Sequence, residues 1–411
     1  MAFRVPMKTS DSAKGSAPRA ARLLVLGGDA DGNLGDRAIL FATCLGARAV
    51  RPDIEIYVVA SDREGALRKF GVSVVPRGPR GFLRFCAAAA RSDLVLCGGG
   101  GLFQDDDSLV KMPYWGARVA LVRLLCPRVV GYSLGVGPLR AQTSRMFARL
   151  AFACMERVSV RDERARSTAQ KLTRKFVTLV PDPALLLPPV SDDDAQAWLR
   201  EKGVPIDGSP LVGVALRRWF PPSPRLVPHE VTAKLGRNPP RESPESRRLT
   251  ELLARTLDEA VRRHGAYVVF LPTYNVAHEG DDKLCEETLS KMSTPRGQVL
   301  RVGDPGLYKG VAAQLAVLLG GRMHPTIFAA SVGTPVVGLA YNPKFKGFFQ
   351  LLGLADQVMD VQEFVKNQRV EDLARMVDQA IRERVPLRET VDRLTGEIRA
   401  FNRSLFAEPT A

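Results

Sequence analysis

LAVLLGGRMHPT, residues 315–326, is the stretch from which the fold is read. The apolar run 315–319 is too short for a helix and has the composition of a strand buried on both faces. Gly320 and Gly321 let the backbone turn sharply. Pro325 suits the first turn of a helix, where the N–H it lacks has no partner anyway. A strand turning straight into a helix is the unit from which parallel sheets are wound. In such sheets ligands collect outside the carboxyl ends of the strands, where helix N-termini and unpaired N–H groups converge. This loop puts Arg322 and His324 at that position, an arrangement suited to a phosphate or carboxylate.

The same alternation extends in both directions. Strand patterns fall at 23–26, 54–59, 72–75, 94–97, 129–132, 158–160 and 177–180, with helical patterns at 37–49, 82–91, 114–125 and 142–155 between them. Six prolines and an acidic patch between 181 and 210 mark a boundary. A second series follows, with strands at 211–216, 267–271, 299–302, 315–319 and 336–339 and helices at 248–263 and 283–291. The expected architecture is α/β: two Rossmann-like, doubly wound domains, residues 23–188 and 209–360, facing a cleft. Helices in 361–411 close the chain and are expected to brace the first domain, and 1–22 reads as a disordered basic tail. Seven prolines between Phe220 and Ser246 exclude a helix or central strand there. A loop at the cleft mouth and a decorative insertion are equally open.

No run of 18 apolar residues occurs, so no spanning helix is expected, and a cytoplasmic protein is. The six cysteines form no C-x-x-C pair, which argues against a disulfide framework or a cysteine zinc site. The net charge of +15 favours acidic partners, phosphorylated substrates or an anionic membrane surface among them. Without a dense basic helix or aromatic-plus-basic module, nucleic acid is not expected.

Other strand ends carry polar groups that packing does not require. In the first loop, Gly27 to Asp36, the glycine spacing is wrong for a dinucleotide fingerprint and three aspartates would repel a pyrophosphate. Asp36 is expected to cap the first helix and also to meet sugar hydroxyls. Four consecutive glycines, 98–101, allow close backbone approach, so Gly99, Gly100, Gln104 and Asp105 are candidate substrate contacts. Arg161 leaves a strand beside Asp162 and is either an anion ligand or that carboxylate's partner. Asp182, between Pro181 and Pro183, reads as a rigid turn. The second domain adds Arg217 after its first strand and Lys344 after a later one. No metal site is indicated.

Taken in order, GNLGD (32–36), GGGLFQD (99–105), SVRD (159–162), PDP (181–183), RMH (322–324) and GTPVVGLAYNPK (333–344) resemble the polysaccharide pyruvyl transferase family. The resemblance runs from about residue 23 to 349 and departs from the family's pattern at Asp29 and Asp31. It implies a GT-B-like pair of domains, the first on the acceptor side and the second on the donor side. It also implies phosphoenolpyruvate as donor substrate with no cofactor, and a sugar or lipid-linked oligosaccharide acceptor that receives a pyruvate ketal during cell-envelope exopolysaccharide synthesis. Arg161, His324 and Lys344 match its donor-binding or catalytic positions. In that chemistry His324 would shuttle a proton, Arg322 would stabilise the departing phosphate, and Asp36 and Asp105 would orient the acceptor. Two alternatives remain at this stage: a GT-B glycosyltransferase using a nucleotide-activated sugar, and a non-catalytic scaffold subunit.

Overall fold

Short runs of Val, Leu and Ile with little alternation should be central parallel strands, and they are. The computed structural model describes residues 20–28, 33–61, 65–106, 108–217, 244–273, 280–341 and 343–407. One sheet holds β1 (Arg22–Leu26), β2 (Glu55–Val59), β3 (Ser73–Val75), β4 (Leu94–Gly98), β5 (Val129–Leu134), β6 (Arg157–Val160) and β7 (Val177–Leu179). Its order is β3-β2-β1-β4-β5-β6-β7. The other holds β8 (Leu211–Ala215), β9 (Tyr267–Phe270), β10 (Gly297–Val299), β11 (Val317–Gly320), β12 (Val336–Ala340) and β13 (Val358–Asp360), in the order β10-β9-β8-β11-β12-β13. Strands pair in parallel throughout both sheets. Strand order reverses between β1 and β4 and again between β8 and β11. Crevices therefore open at the carboxyl ends of those four strands.

The helices of the first half are α1 (Leu34–Val50), α2 (Ala66–Lys69), α3 (Phe82–Arg91), α4 (Lys111–Leu125), α5 (Gln142–Cys154) and α6 (Glu163–Gln170). A connecting helix, α7 (Asp192–Glu201), is capped by Ser191. It turns the acidic patch of the boundary into a first turn whose carboxylates face the helix N-terminus favourably. The second half adds α8 (Pro244–His264), α9 (Asp281–Ser290), α10 (Pro305–Ala313), α11 (Met323–Ser331) and α12 (Pro343–Leu351). The chain closes with α13 (Val361–Asn367), α14 (Val370–Glu383) and α15 (Arg388–Phe406). Two strands sit away from their expected positions. Leu315 still bonds back to Ala312 in the turn that closes α10, so β11 starts at Val317. The last β10 partner of β9 is Val299, with Leu300 N–H reaching Phe270 O beyond it.

One apolar cluster lies between the two sheets and joins α1, the 3-10 turn Pro183–Leu186, α10, α11 and α15. Two others back the outer faces. The C-terminal helix α15 crosses to the first sheet. There the Tyr132 hydroxyl donates to Asn402 Oδ1 at 2.7 Å and the Arg157 guanidinium sits 4.8 Å over the Phe401 ring. Of the expected tail 1–22, residues 1–19 lie outside the described residues, as does most of the proline-rich insertion, 218–243, whereas Ala21 is buried and Arg22 opens β1, so the fold begins earlier than expected.

Lys309 of α10 ties the second half to the first. It is 1% exposed and its ammonium donates to the carbonyls of Ala184, Leu185 and Leu187 around the 3-10 turn. Burial pulls it down from 10.5 to about 7. The unfolded chain keeps the ordinary value, so above about pH 7 the unfolded state holds the extra proton and folding gains stability as pH rises. The stability of the wild type relative to Lys309→Met should therefore increase between pH 6 and 9, by on the order of 2 kcal/mol. Urea unfolding midpoints measure this, and a difference independent of pH would contradict it.

Candidate active site between the two sheets

Helix α1 supplies one side of the site from its first turn. Asn33 is its N-cap: its side-chain oxygen accepts from Asp36 N–H at 3.0 Å, and its amide donates to the Asp36 carboxylate at 2.8 Å. The capping role expected of Asp36 thus belongs to Asn33, because the helix begins earlier than its apolar periodicity shows. Asp36 stands in the first turn with its carboxylate toward the glycine loop. A Cβ on Gly100 would lie 3.1 Å from Asp36 Oδ1. Gly99 and Gly100 both have φ of +81°, a conformation that side chains other than glycine's resist, so this loop bends against α1 only as glycine.

His324 comes from the other half of the chain. It occupies the first turn of α11, directly after β11, and its ring lies against the α1 backbone at Gly35. A Cβ there would be 1.9 Å from His324 Nδ1. The ring is 18% exposed, and its Nε2 has no hydrogen-bond partner and stands 3.8 Å from Asp182 Oδ2. Burial lowers its pKa from 6.5; Asp182 and Asp36 oppose the shift, while Arg161 and Arg322 reinforce it. The imidazole is therefore uncharged at neutral pH.

Arg161, at the end of β6, is 9% exposed and donates from Nη1 to Asp182 Oδ2 at 3.2 Å. The neighbouring carboxylate of Asp162 is 3.8 Å from Nε and caps α6 through Ala165 N–H. The partner that sequence proximity suggested is thus secondary to Asp182. Asp182 also caps the 3-10 turn through Ala184 N–H at 3.0 Å. Its turn role and its contact with Arg161 coexist on different oxygens. Gly135 passes beside this pair, with its N–H bonded to Gly100 O at 2.9 Å. Asp36, Gly100, Arg161, Asp182 and His324 are thereby brought together from five separate strand ends.

Three other candidates need correction or relocation. Asp105 is 2% exposed, and its carboxylate accepts backbone N–H bonds from Arg140 at 2.8 Å and Ala141 at 2.9 Å. It pins the start of α5 and is turned from the cleft, so the substrate contact expected of it is withdrawn. Asp105→Asn should lower stability by about 1–3 kcal/mol while leaving ligand binding at the cleft within a factor of two. A selective loss of binding at unchanged unfolding midpoint would contradict this. Arg322 forms a bidentate pair with Asp281, at 3.0 and 2.6 Å. Asp281 is fully buried at the start of α9, and nothing in the sequence pattern marked it as this partner. That edge of the guanidinium serves α9, so a phosphate role for Arg322 is weaker than the loop suggested. Gln104 folds back on its own loop, its Oε1 2.9 Å from where a Gly101 Cβ would stand.

On the second sheet, Arg217 follows β8 and stacks 4.3 Å over the Tyr341 ring, which follows β12. Lys344 lies in the first turn of α12 with its side chain outside the described residues, as are Asp29, Asp31, Asn275, His229 and His278. His264 is placed elsewhere, 2.7 Å from Asp378. Among the described residues no cluster of His, Cys, Asp and Glu has metal-binding geometry, and no helix is long and apolar enough to cross a membrane.

No curated protein matches the chain. Solved structures do. A glycosyltransferase from Rickettsia africae shares 9% identity at a TM-score of 0.57, covering 95% of this chain and 98% of that one. The UDP-GlcNAc 2-epimerase of Methanocaldococcus jannaschii shares 10% at 0.56, covering 89% and 93%. A putative UDP-N-acetylglucosamine 2-epimerase from Listeria monocytogenes shares 13% at 0.52, covering 96% and 99%. At such identities these likenesses establish the two-domain, GT-B-like fold and nothing further. The family model for polysaccharide pyruvyl transferase matches residues 33–343, which run from the cap of α1 to the start of α12 and include every residue gathered at the cleft. The chain belongs to the polysaccharide pyruvyl transferase family.

Proposed function

We propose that this transferase moves the pyruvyl group of phosphoenolpyruvate onto a sugar of a polysaccharide precursor, forming a cyclic ketal and releasing inorganic phosphate. The observation that carries the reading is His324: an imidazole without a hydrogen-bond partner at Nε2, set between two helix N-termini and next to Arg161. Phosphoenolpyruvate carries carboxylate and phosphate charges that helix N-termini and a guanidinium accommodate. In the proposed reaction a proton goes to the methylene carbon of the donor. One sugar hydroxyl adds to the adjacent carbon, and a second hydroxyl then displaces phosphate from it. Each hydroxyl gives up its proton, so an imidazole that alternates between acid and base serves both steps. Burial holds the His324 pKa below its ordinary value. An anionic donor beside it favours the imidazolium, which is then ready to donate. Arg161 holds the donor anion, and Asp36, beside the glycine loop, orients the acceptor hydroxyls. Arg217, after β8, adds a second cation, and Lys344 is a further donor-binding residue by its match to the family's motif.

Thermal unfolding in the presence of ligands tests the donor. Phosphoenolpyruvate at 100 times its dissociation constant should stabilise the protein by about 2.7 kcal/mol. A UDP-sugar at the same concentration should do less. Stabilisation by the UDP-sugar alone would return the chain to glycosyl transfer, and stabilisation by neither would favour a non-catalytic subunit.

A further inference from the structure

Helix α4 is apolar on two opposite faces. Met112, Gly116, Val119 and Val122 are buried against the first sheet. On the opposite side, Tyr114, Ala117 and Leu124, with Val110 at the N-cap, recur at helical spacing as an exposed stripe without a charged residue, and the half-buried Leu121 between them packs against the core. Leu124 is 84% exposed, and Val110 and Tyr114 are also exposed. A helix apolar all round is ordinarily covered on all sides. The helices beside it extend the patch. Arg118 of α4 sits 4.5 Å over the Phe85 ring of α3, and Gly116 packs against Phe147 of α5. Leu83 on α3 is 81% exposed, and Met146 and Leu150 of α5 are exposed too.

Charge on these helices has one sign. α3, α4 and α5 contain arginines and a lysine but no aspartate or glutamate. Arg84 of α3 and Arg149 of α5 are exposed beside Leu83 and Leu150, and Arg123 is exposed in the last turn of α4. A second copy of the same face would oppose cations with cations. An acidic surface that also accepts apolar side chains satisfies both features, and an anionic bilayer is such a surface.

We propose that the α3–α4–α5 face docks on an anionic membrane, with the α4 stripe lying in the headgroup–acyl boundary and the surrounding arginines on the lipid phosphates. The stripe spans about 22 Å at the helical rise. Its first residue, Val110, ends the loop that leaves Gly100 at the cleft. An acceptor carried on a membrane lipid would thus be presented at the cleft mouth, an extension that rests on the reading of function above.

Sedimentation of the full-length protein with vesicles tests the docking independently of the donor. Vesicles of phosphatidylcholine with one-third phosphatidylglycerol (roughly physiological anionic content) should bind it at least ~10-fold more tightly than phosphatidylcholine alone, and salt should weaken that binding. The double substitution Leu83→Glu/Leu124→Glu should cut binding by at least ~10-fold without moving the unfolding midpoint or the phosphoenolpyruvate-induced shift, since both side chains are already in water. Arg84→Glu/Arg149→Glu should lower binding and flatten the salt dependence. The proposal is overturned if neither vesicle binds, if the leucine double variant binds as the wild type does, or if the stripe instead mediates a dimer that this variant dissociates.

Discussion

His324→Ala should lower turnover by on the order of 10³-fold while phosphoenolpyruvate still binds. The imidazole is the group at the cleft whose charge can change near neutrality. Asp182 and Asp36 hold its pKa up against burial, and Arg161 and Arg322 push it down. Removing it takes away the proton donor and acceptor but leaves Arg161 and its pairing with Asp182 in place. Steady-state release of phosphate gives the turnover and calorimetric titration gives the donor affinity. Turnover within tenfold of wild type would remove His324 from the chemistry. Loss of donor binding together with turnover would make it a binding residue only.

Gly35→Ala should lower both stability and turnover, although it adds only a methyl group. Alanine favours a helix over glycine by about 1 kcal/mol, and Gly35 has no left-handed backbone to preserve, so α1 itself gains from the change. The obstacle is the other half of the chain. The three atoms nearest the added carbon are all in the His324 ring, at 1.9, 2.1 and 2.4 Å. Either the ring leaves its place or α1 and α11 separate by more than 1 Å. Overpacking of that kind costs about 1–3 kcal/mol. A displacement of 1 Å at a reacting group costs about 10²-fold in rate. The sign reverses once the ring is gone: in a His324→Ala background the same substitution should stabilise by up to ~1 kcal/mol. A double-mutant cycle on unfolding free energies reads the coupling directly. Additive effects would mean that helix and ring do not meet in solution.

How much of this was legible in the chain depended on how local each cause is. The strands of both sheets could be read because β4, β8 and β12 are buried along their whole length and so lack polar residues. The strand-end loops could be read because glycines and a proline flank Arg322 and His324. The start of α1 was less legible: Leu34, Gly35 and Asp36 look like loop residues, and only the reciprocal bonds with Asn33 make them a first turn. Partners distant in sequence were not legible at all. Asp281 lies 41 residues before Arg322, and Arg140 lies 35 after Asp105, so neither pairing leaves a local pattern. Asp105 looked like a ligand because an acid after a glycine loop usually faces a crevice; here two backbone amides claim it. The meeting of His324 with Gly35 belongs to the packing of one half on the other, which no single segment encodes.

Nuclear magnetic resonance titration of the His324 ring, with and without phosphoenolpyruvate, reads the central claim at its own atom. The account predicts a pKa below 6.5 in the free protein that rises when the donor binds, with Arg161→Ala raising the donor concentration needed to produce the rise. A ring whose titration phosphoenolpyruvate leaves unchanged at saturating concentration would place the donor elsewhere and contradict the account.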